Sequence, residues 1–275
     1  MPKITFDDLQ QSYEQNRQND YINLLALGHF GTGKTLSTLT FPRPLVVHNF
    51  DPGGTESISQ WAENPEKDVY VQDFSVDKPG SPRAYKDWDQ QFQQMIRQDF
   101  FEGVGTFVLD SLTSLSESVM REQLRKAGRI GETPRLRDYQ IQMATLTDII
   151  QLATGLPCHF VLTSHIELER DEVSGKQETV PLVTGKLSTK IPTQFDEAYV
   201  YDVSSGREGR KWRWLTQPDG YYKARSRIAP RANLPDVVTA DDEKFTRPLF
   251  NGRSRMIDFQ KILRAAGKSW EHKAE

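Results

Sequence analysis

Eight residues near the start of the chain have the types and the spacing of a phosphate-binding loop. Residues 28–35 read Gly-His-Phe-Gly-Thr-Gly-Lys-Thr, which is the pattern G-x-x-x-x-G-K-[ST]. Glycines at such positions allow backbone angles that are closed to other residues, so that successive N–H groups can turn towards one anion. We expect Lys34 to place its charge against the outer phosphates of a nucleotide and Thr35 to ligate Mg²⁺. The predicted nucleotide contacts are Gly28, His29, Phe30, Gly31, Thr32, Gly33, Lys34 and Thr35.

The residues on either side of this loop supply the structural context that the pattern requires. A mostly apolar run at 22–27 predicts a buried strand before the loop, and a helix is expected to begin near Lys34. The positive end of that helix would add to the attraction for phosphate. A glycine-rich turn that matched the pattern by chance would need neither neighbour. We therefore predict nucleotide binding, with ATP and Mg²⁺ as the ligands.

Two aspartates follow apolar runs that predict buried strands. Asp110 ends the run 106–109, and in proteins with a phosphate loop an acid at this place holds Mg²⁺ and partners the loop threonine. Asp51 comes shortly after the run 45–47, and a carboxylate at the carboxyl end of a parallel strand faces the ligand crevice. Asp51 could orient or deprotonate an attacking water, or it could merely start the turn at 52–54.

A polar pair, Ser164-His165, follows another predicted strand at 160–163. At the tip of a parallel strand this pair would lie beneath the terminal phosphate, where it can sense hydrolysis. We predict this sensing role for His165. A histidine with a purely structural role is the alternative.

Two segments carry basic residues that could meet a nucleic-acid backbone. Glycines and a proline interrupt the helical periodicity at 126–138, where four bases accompany two acids. The segment 167–190 has no clear core face, and only its second half is net positive; a loop of this length is usually functional or disordered. A solvated surface loop is the alternative for 126–138. The candidate DNA contacts are Lys126, Arg129, Arg135, Arg137, Lys176, Lys186 and Lys190.

The most basic part of the chain lies at 207–227, with seven bases and two acids. It includes a predicted strand at 221–228. Arg225 and Arg227 would alternate to the same face of that strand, so that both guanidinium groups can meet one anion.

Composition and charge favour one α/β domain with a large core. The 275 residues carry a formal net charge of −3, which argues against a generally basic nucleic-acid coat, so DNA contacts would depend on local patches. The single cysteine, Cys158, excludes an internal disulfide and favours the cytoplasm. No apolar run approaches the roughly 18 residues of a membrane span, and the N-terminus lacks a signal-peptide core. We therefore predict a soluble cytoplasmic protein without a membrane partner.

We predict an N-terminal arm at 1–20, a nucleotide-binding core at 21–235 and a C-terminal tail at 236–275 with one short helix. The predicted fold class is α/β, with a mostly parallel central sheet flanked by helices and antiparallel strands late in the chain. Aromatic residues at helical spacing over 83–97 predict a helix that covers the sheet. Phe6 belongs either to a frayed terminus or to a contact with a neighbouring subunit.

The order of these features resembles the RecA-like recombinase core over about residues 21–235. The family's catalytic strand-end acid, which is usually Glu, corresponds to Asp51, and its Asp-Ser strand end is similar to Asp110-Ser111. Ser164-His165 stands where the family has an Asn-Gln pair. Residues 225–230 are similar to the basic-x-basic-Ile-Ala pattern that in bacterial recombinases reaches the ATP of the neighbouring subunit.

The resemblance implies an ATPase of phage recombination or replication that assembles head to tail into a ring or filament. The family's two mobile loops, which bind single-stranded DNA, correspond to 126–138 and 167–190 here. Some compact phage-encoded proteins of this type anneal single strands. Arg225 and Arg227 would act in trans as arginine fingers, so an isolated subunit should hydrolyse ATP slowly.

A second hypothesis is a nucleotide-dependent switch or motor subunit that acts on a protein partner in replication or packaging, without touching DNA. The acidic total charge and the mixed charge of 167–190 favour it. A kinase with the same loop is a third class, but the sequence shows no evident acceptor site or lid motif.

Overall fold

A computed structural model of the chain describes residues 5–17, 21–170, 177–206, 209–248 and 255–268. The helices are α1 (Phe6–Arg17), α2 (Lys34–Ser37), α3 (Ser59–Ala62), α4 (Ala84–Arg97), α5 (Leu112–Lys126), α6 (Leu136–Thr154), α7 (Leu187–Lys190), α8 (Ala229–Ala232) and α9 (Phe259–Ala265). The strands are β1 (Asn23–Gly28), β2 (Leu45–Asn49), β3 (Val69–Asp73), β4 (Thr106–Asp110), β5 (His159–Ser164), β6 (Ile166–Arg170), β7 (Gln177–Pro181), β8 (Glu197–Gly206), β9 (Gly209–Leu215), β10 (Arg225–Ser226), β11 (Val237–Thr239), β12 (Thr246–Pro248) and β13 (Arg255–Ile257).

A central sheet of nine strands organises the part of the chain that the structure describes. Its strand order is β11-β9-β8-β1-β5-β4-β2-β3, and the short β10 pairs with the start of β8. The six strands from β8 to β3 in this order run parallel, whereas β9, β10 and β11 are antiparallel to their neighbours. The predicted fold class is confirmed.

The four inner strands β1, β5, β4 and β2 are buried along nearly their whole length, because apolar clusters cover both faces of the sheet. One cluster contains Trp88 and Phe92 of α4 together with apolar residues of α5 and α6. The other contains Phe41 and the α9 residue Phe259, whose rings stack with centroids 4.2 Å apart. Strands with this burial read as continuous apolar runs, which is why the sequence predicts them well.

The predicted helix over 83–97 is confirmed as α4 (Ala84–Arg97), and its aromatic residues Trp88 and Phe92 are fully buried as expected. The loop predicted within 126–138 is also confirmed, since α5 ends at Lys126 and α6 begins at Leu136. Gln142 of α6 donates to the Ser116 carbonyl of α5, so the two helices pack against each other beside this loop.

The prediction of a loop over 167–190 was wrong for most of its length. The chain forms an antiparallel hairpin of β6 and β7, followed by α7. The strand signal is weak because β6 is exposed at four of its five positions, so the hairpin depends on mutual backbone pairing more than on a buried face. Residues 171–176, including the candidate DNA contact Lys176, lie outside the described residues.

The strand predicted at 221–228 was also wrong, except for the two residues of β10. The buried carboxylate of Glu197 accepts hydrogen bonds from the backbone N–H groups of Arg227 and Ile228, and α8 begins at the next residue. Arg227 therefore lies outside the strand, and the alternation that would place it on one face with Arg225 does not apply.

Part of the predicted tail at 236–275 packs on the core. β11 (Val237–Thr239) forms one edge of the central sheet, and Phe259 donates its backbone N–H to Thr40. At the other terminus, α1 lies within the segment 1–20, and its Phe6 is 90% exposed. Whether Phe6 contacts a neighbouring subunit stays a prediction. None of the described helices is long and apolar enough to cross a membrane.

Two buried histidines should make the stability of this fold dependent on pH. The ring of His48 accepts a hydrogen bond of 2.9 Å from the Trp88 indole, and burial lowers the pKa of His48 to about 3. Burial likewise lowers the pKa of His159 to about 4. Below about pH 6.5 the two histidines become protonated in the unfolded chain, whereas they stay neutral in the folded chain. As the pH is lowered below this value, the free energy of unfolding should therefore decrease by about 1.4 kcal/mol per pH unit for each histidine.

Urea unfolding between pH 7 and pH 5 measures this slope. His48→Asn keeps an acceptor for Trp88 but removes the titrating group. The change of its unfolding free energy per pH unit should therefore be smaller by about the contribution of one proton. His29→Asn changes an exposed histidine and is the matched control. An unchanged slope in His48→Asn would show that His48 takes up a proton within the folded protein.

Candidate functional site

The phosphate loop connects β1 to α2 at the carboxyl edge of the sheet. Gly31 and Gly33 have φ angles of 74° and 84°, which other residues rarely adopt. A Cβ atom at Gly28 would lie 2.6 Å from the carbonyl oxygen of Tyr201, which belongs to the neighbouring strand β8. Glycine is therefore required at these positions both for the turn itself and for the close pairing of β1 with β8.

Lys34 lies at the mouth of the loop and is only 7% exposed. Its ammonium group donates to the carbonyl oxygens of Gly28 at 2.8 Å and His29 at 2.9 Å. Burial lowers the pKa of Lys34 to about 8, although the nearby carboxylates of Asp110 and Asp51 oppose the shift. The loop thus holds one desolvated positive charge, which suits a phosphate group.

Thr35 and Asp110 meet as the sequence predicts. The Thr35 hydroxyl donates to Oδ2 of Asp110 at 2.6 Å, and the Thr163 hydroxyl of β5 donates to Oδ1. Asp110 is 1% exposed, and burial raises its pKa above the usual value although both hydroxyl groups oppose the shift. A bound cation would favour the ionised carboxylate.

The fit to Mg²⁺ follows from the type of these donors. Mg²⁺ is commonly held by one or two carboxylates together with substrate phosphates and water, rather than by a cage of protein ligands. The described residues contain no cluster of three or more His, Cys, Asp or Glu side chains that could hold a metal by itself. Thr35 and Asp110 therefore fit a magnesium ion that a nucleotide helps to hold.

Asp51 is held by three side chains next to this pair. Oδ1 of Asp51 accepts hydrogen bonds from Ser111, at 2.7 Å, and from Ser114, and Oδ2 lies 3.4 Å from Nε2 of His165. Burial raises the pKa of Asp51, but the hydrogen bonds from His165, Ser114 and Ser111 outweigh it and hold that pKa below its usual value. Asp51 is therefore an ionised carboxylate in a fixed orientation.

His165 connects Asp51 to the β6–β7 hairpin. Its backbone N–H donates to the Thr113 hydroxyl at 3.3 Å, and its carbonyl accepts the N–H of Leu182, directly after β7, at 2.8 Å. Ser164, its partner in the predicted polar pair, instead donates its hydroxyl to the His165 carbonyl. A displacement of the hairpin would therefore move His165, as a sensing role requires. The sensing role itself stays a prediction.

Sequence reasoning missed two of the side chains that complete the site. Ser114 lies one helical turn after Ser111, so the Ser-x-x-Ser spacing at the start of α5 was the available signal. Thr163 had no such signal, because a threonine inside an apolar run is typical of any buried strand.

Comparison with known proteins places these features in a family. Residues 20–228 match the family AAA_24, described as an AAA domain. The chain belongs to this AAA domain family. No curated protein matched the chain. Among solved structures, it is similar to a KaiC-like protein, PH0186, from the hyperthermophilic archaeon Pyrococcus horikoshii OT3, at 15% identity and a TM-score of 0.44, over 70% of this chain and 78% of that chain. It is also similar to the flagellar accessory protein FlaH from Methanocaldococcus jannaschii, at 12% identity and a TM-score of 0.43, over 79% and 84%.

Arg225 and Arg227 lie away from the phosphate loop of their own subunit. Arg225 and Ser226 pair with the first residues of β8, whereas the loop begins beside Tyr201. Glu197 and Tyr201 are separated by about 13 Å of strand. The structure therefore does not bring Arg225 or Arg227 together with Lys34 in one subunit.

The two arginines also differ in their contacts. Nη2 of Arg225 donates to the carbonyl oxygens of Pro192 and Phe195, whereas Arg227 forms an ion pair of 2.9 Å with Asp196 and is 58% exposed. Arg225 is thus held by the backbone of its own chain. Arg227 is the arginine that can turn outward.

The basic residues predicted to contact DNA fall into two groups. Lys126, Arg129, Arg135 and Arg137 line one concavity of about 360 Å³ together with Asp138. Three of these bases have acidic neighbours: Arg129 with Asp138, Arg135 with Glu132 and Lys126 with Glu122. Lys186 lines a different concavity beside Glu167 and Glu169, and Lys190 is exposed on α7. The first group keeps a basic surplus on its surface, but the second does not.

Proposed function

We propose that this AAA domain binds ATP with Mg²⁺ and hydrolyses it. The observation that carries the proposal is the placement of Asp51, an ionised carboxylate fixed by Ser111, Ser114 and His165, beside the Thr35–Asp110 pair. The phosphate loop alone supports binding. A second, independently oriented carboxylate at the same edge supports reaction with water.

Each residue has a role that follows from its chemistry. Lys34 and the loop N–H groups would hold the phosphates, and Thr35 and Asp110 would hold the metal. Mg²⁺ would neutralise the charge that develops on the transferred phosphoryl group. Asp51 would accept the proton of the attacking water, since a carboxylate held by donors on both oxygens can orient a water and keep its own position.

Replacing Asp51 tests hydrolysis separately from binding. Asp51→Asn should reduce kcat for ATP hydrolysis by about 100-fold or more while ATP binding persists, because an amide cannot accept the proton. Asp99→Asn is the matched control, since Asp99 is exposed and lies between the end of α4 and the start of β4. Steady-state phosphate release and calorimetric binding give the two numbers. An Asp51→Asn enzyme with wild-type kcat would remove the proposed base.

We also propose that the reaction is completed between subunits of a head-to-tail homo-oligomer. Arg227 lies at the amino edge of the sheet and the phosphate loop at the carboxyl edge, so an interface that joins these edges would bring Arg227 to the neighbour's site. Arg225 would hold the segment in place through the Pro192 and Phe195 carbonyls.

Mixing two inactive variants tests this arrangement. Arg227→Ala should reduce hydrolysis by about 1000-fold, and Lys34→Ala should abolish it. An equal mixture should recover about a quarter of the wild-type rate, because random assembly gives that share of interfaces an intact loop and an intact arginine. Arg231→Ala, on the exposed face of α8, should keep the wild-type rate. A mixture as inactive as its components would contradict action in trans.

Single-stranded DNA is the partner that we propose for the oligomer, in phage recombination or replication. The support is the concavity lined by Lys126, Arg129, Arg135 and Arg137, whose chemistry suits a phosphate backbone. A nucleotide-dependent switch that acts on a protein partner is the second candidate. It is favoured by the acidic residues around Lys186, which would repel a phosphate backbone there.

Charge reversal separates the two candidates. Arg135→Glu with Arg137→Glu should weaken binding of a poly-dT oligonucleotide by about tenfold or more at low salt and remove any stimulation of ATP hydrolysis. Lys186→Glu with Lys190→Glu should have a smaller effect. Arg83→Glu with Arg97→Glu, at exposed positions at the two ends of α4, is the control. Fluorescence anisotropy at two salt concentrations measures binding. If the wild-type protein does not bind the oligonucleotide, the protein-partner candidate would be favoured.

A further inference from the structure

A second concave surface adjoins the phosphate loop and plays no part in the chemistry described above. It lies between the start of α2, the strand β9 and the strand β13. Trp212 of β9 forms its floor beside the loop, since a Cβ atom at Gly33 would lie 3.4 Å from Cδ1 of that indole. The walls are formed by Gly33, Leu36, Trp214, Met256 and Ile257.

The walls of this cleft are apolar and firmly supported. Trp214 and Ile257 are buried, and the Trp214 ring packs against Tyr201 with centroids 4.7 Å apart. Tyr201 in turn accepts a hydrogen bond of 3.2 Å from Ser37 of α2. Trp212 is only half-buried, so one indole remains accessible in a rigid pocket. Such a surface suits a flat aromatic guest.

Arg255 supplies the polar side of the cleft. Its Nε donates to the Thr246 hydroxyl at 2.8 Å and its Nη2 to the Thr246 carbonyl at 3.2 Å, so that the guanidinium plane is fixed. A fixed guanidinium plane at the edge of an aromatic pocket can stack on a heterocycle. It does not present the paired donors and acceptors that would read the polar edge of one particular base.

We propose that this cleft binds the base of the nucleotide, and that it selects purines over pyrimidines while distinguishing adenine from guanine poorly. The inference rests on the proposed binding of a nucleoside triphosphate at the phosphate loop. Gly33 belongs to both surfaces, so a ligand whose phosphates occupy the loop carries its base towards Trp212. A purine covers more of an indole than a pyrimidine does, and apolar walls reject neither exocyclic substituent of a purine.

Comparing ATP with inorganic tripolyphosphate isolates the contribution of the base. Trp212→Ala should weaken ATP binding by about tenfold, which is the usual effect of removing one aromatic stacking partner, and leave tripolyphosphate binding unchanged. Trp212→Phe should restore most of the ATP affinity, because a phenyl ring still stacks. In the wild-type protein GTP should bind about as well as ATP, and CTP about tenfold more weakly. Isothermal titration calorimetry gives all of these constants.

The other results overturn the proposal in distinguishable ways. An equal loss of ATP and tripolyphosphate binding in Trp212→Ala would mean that Trp212 only supports the loop. Unchanged affinity for both would mean that the base lies elsewhere, with the phosphate site intact. A wild-type protein that binds neither ligand would overturn nucleotide binding itself, and this proposal with it.

Discussion

The hydrogen bond between Thr35 and Asp110 is the interaction on which the rest of the site depends. It joins the first turn after the phosphate loop to the end of β4, deep enough that Asp110 is almost fully buried. A buried carboxylate is costly unless its oxygens are satisfied, and here the hydroxyl groups of Thr35 and Thr163 each take one oxygen. The constraint therefore ties the start of α2 to the ends of β4 and β5, because moving any one of them would leave a buried carboxylate oxygen without a donor.

The order of the strands makes this arrangement available to a chain whose site residues are far apart in sequence. β1, β5, β4 and β2 are parallel neighbours, so the phosphate loop, His165, Asp110 and Asp51 all emerge at one edge. The hydrogen bonds from Ser111 and Ser114 to Asp51 then cross from β4 and α5 to β2. One edge of the sheet thus carries a desolvated cation, a buried carboxylate of raised pKa and a second carboxylate of lowered pKa, and such separate environments give neighbouring titratable groups different acid–base roles.

The later part of the chain adds features at both edges of the same sheet. β8 brings Tyr201 against Gly28 at the carboxyl edge, and its first residue, Glu197, holds the segment of Arg227 at the amino edge. β9 continues the sheet and carries Trp212 to the side of the phosphate loop. One rigid sheet therefore separates the arginines from the loop of their own subunit, and it places an aromatic surface beside that loop.

The sequence by itself was enough to predict the phosphate loop, the buried parallel strands and the place of Asp110 at a strand end. Each of these depends on local glycine requirements or on an apolar run. It also placed α4, whose apolar residues recur at helical spacing. Only the tertiary structure decided the environment of Asp51, because its donors come from α5 and from the end of β5. The β6–β7 hairpin and the end of the predicted strand after Ser226 escaped prediction for a related reason. The hairpin depends on backbone pairing between its own two strands, and the strand end at Ser226 depends on the distant Glu197 carboxylate. Neither interaction leaves a periodic pattern in the residues themselves.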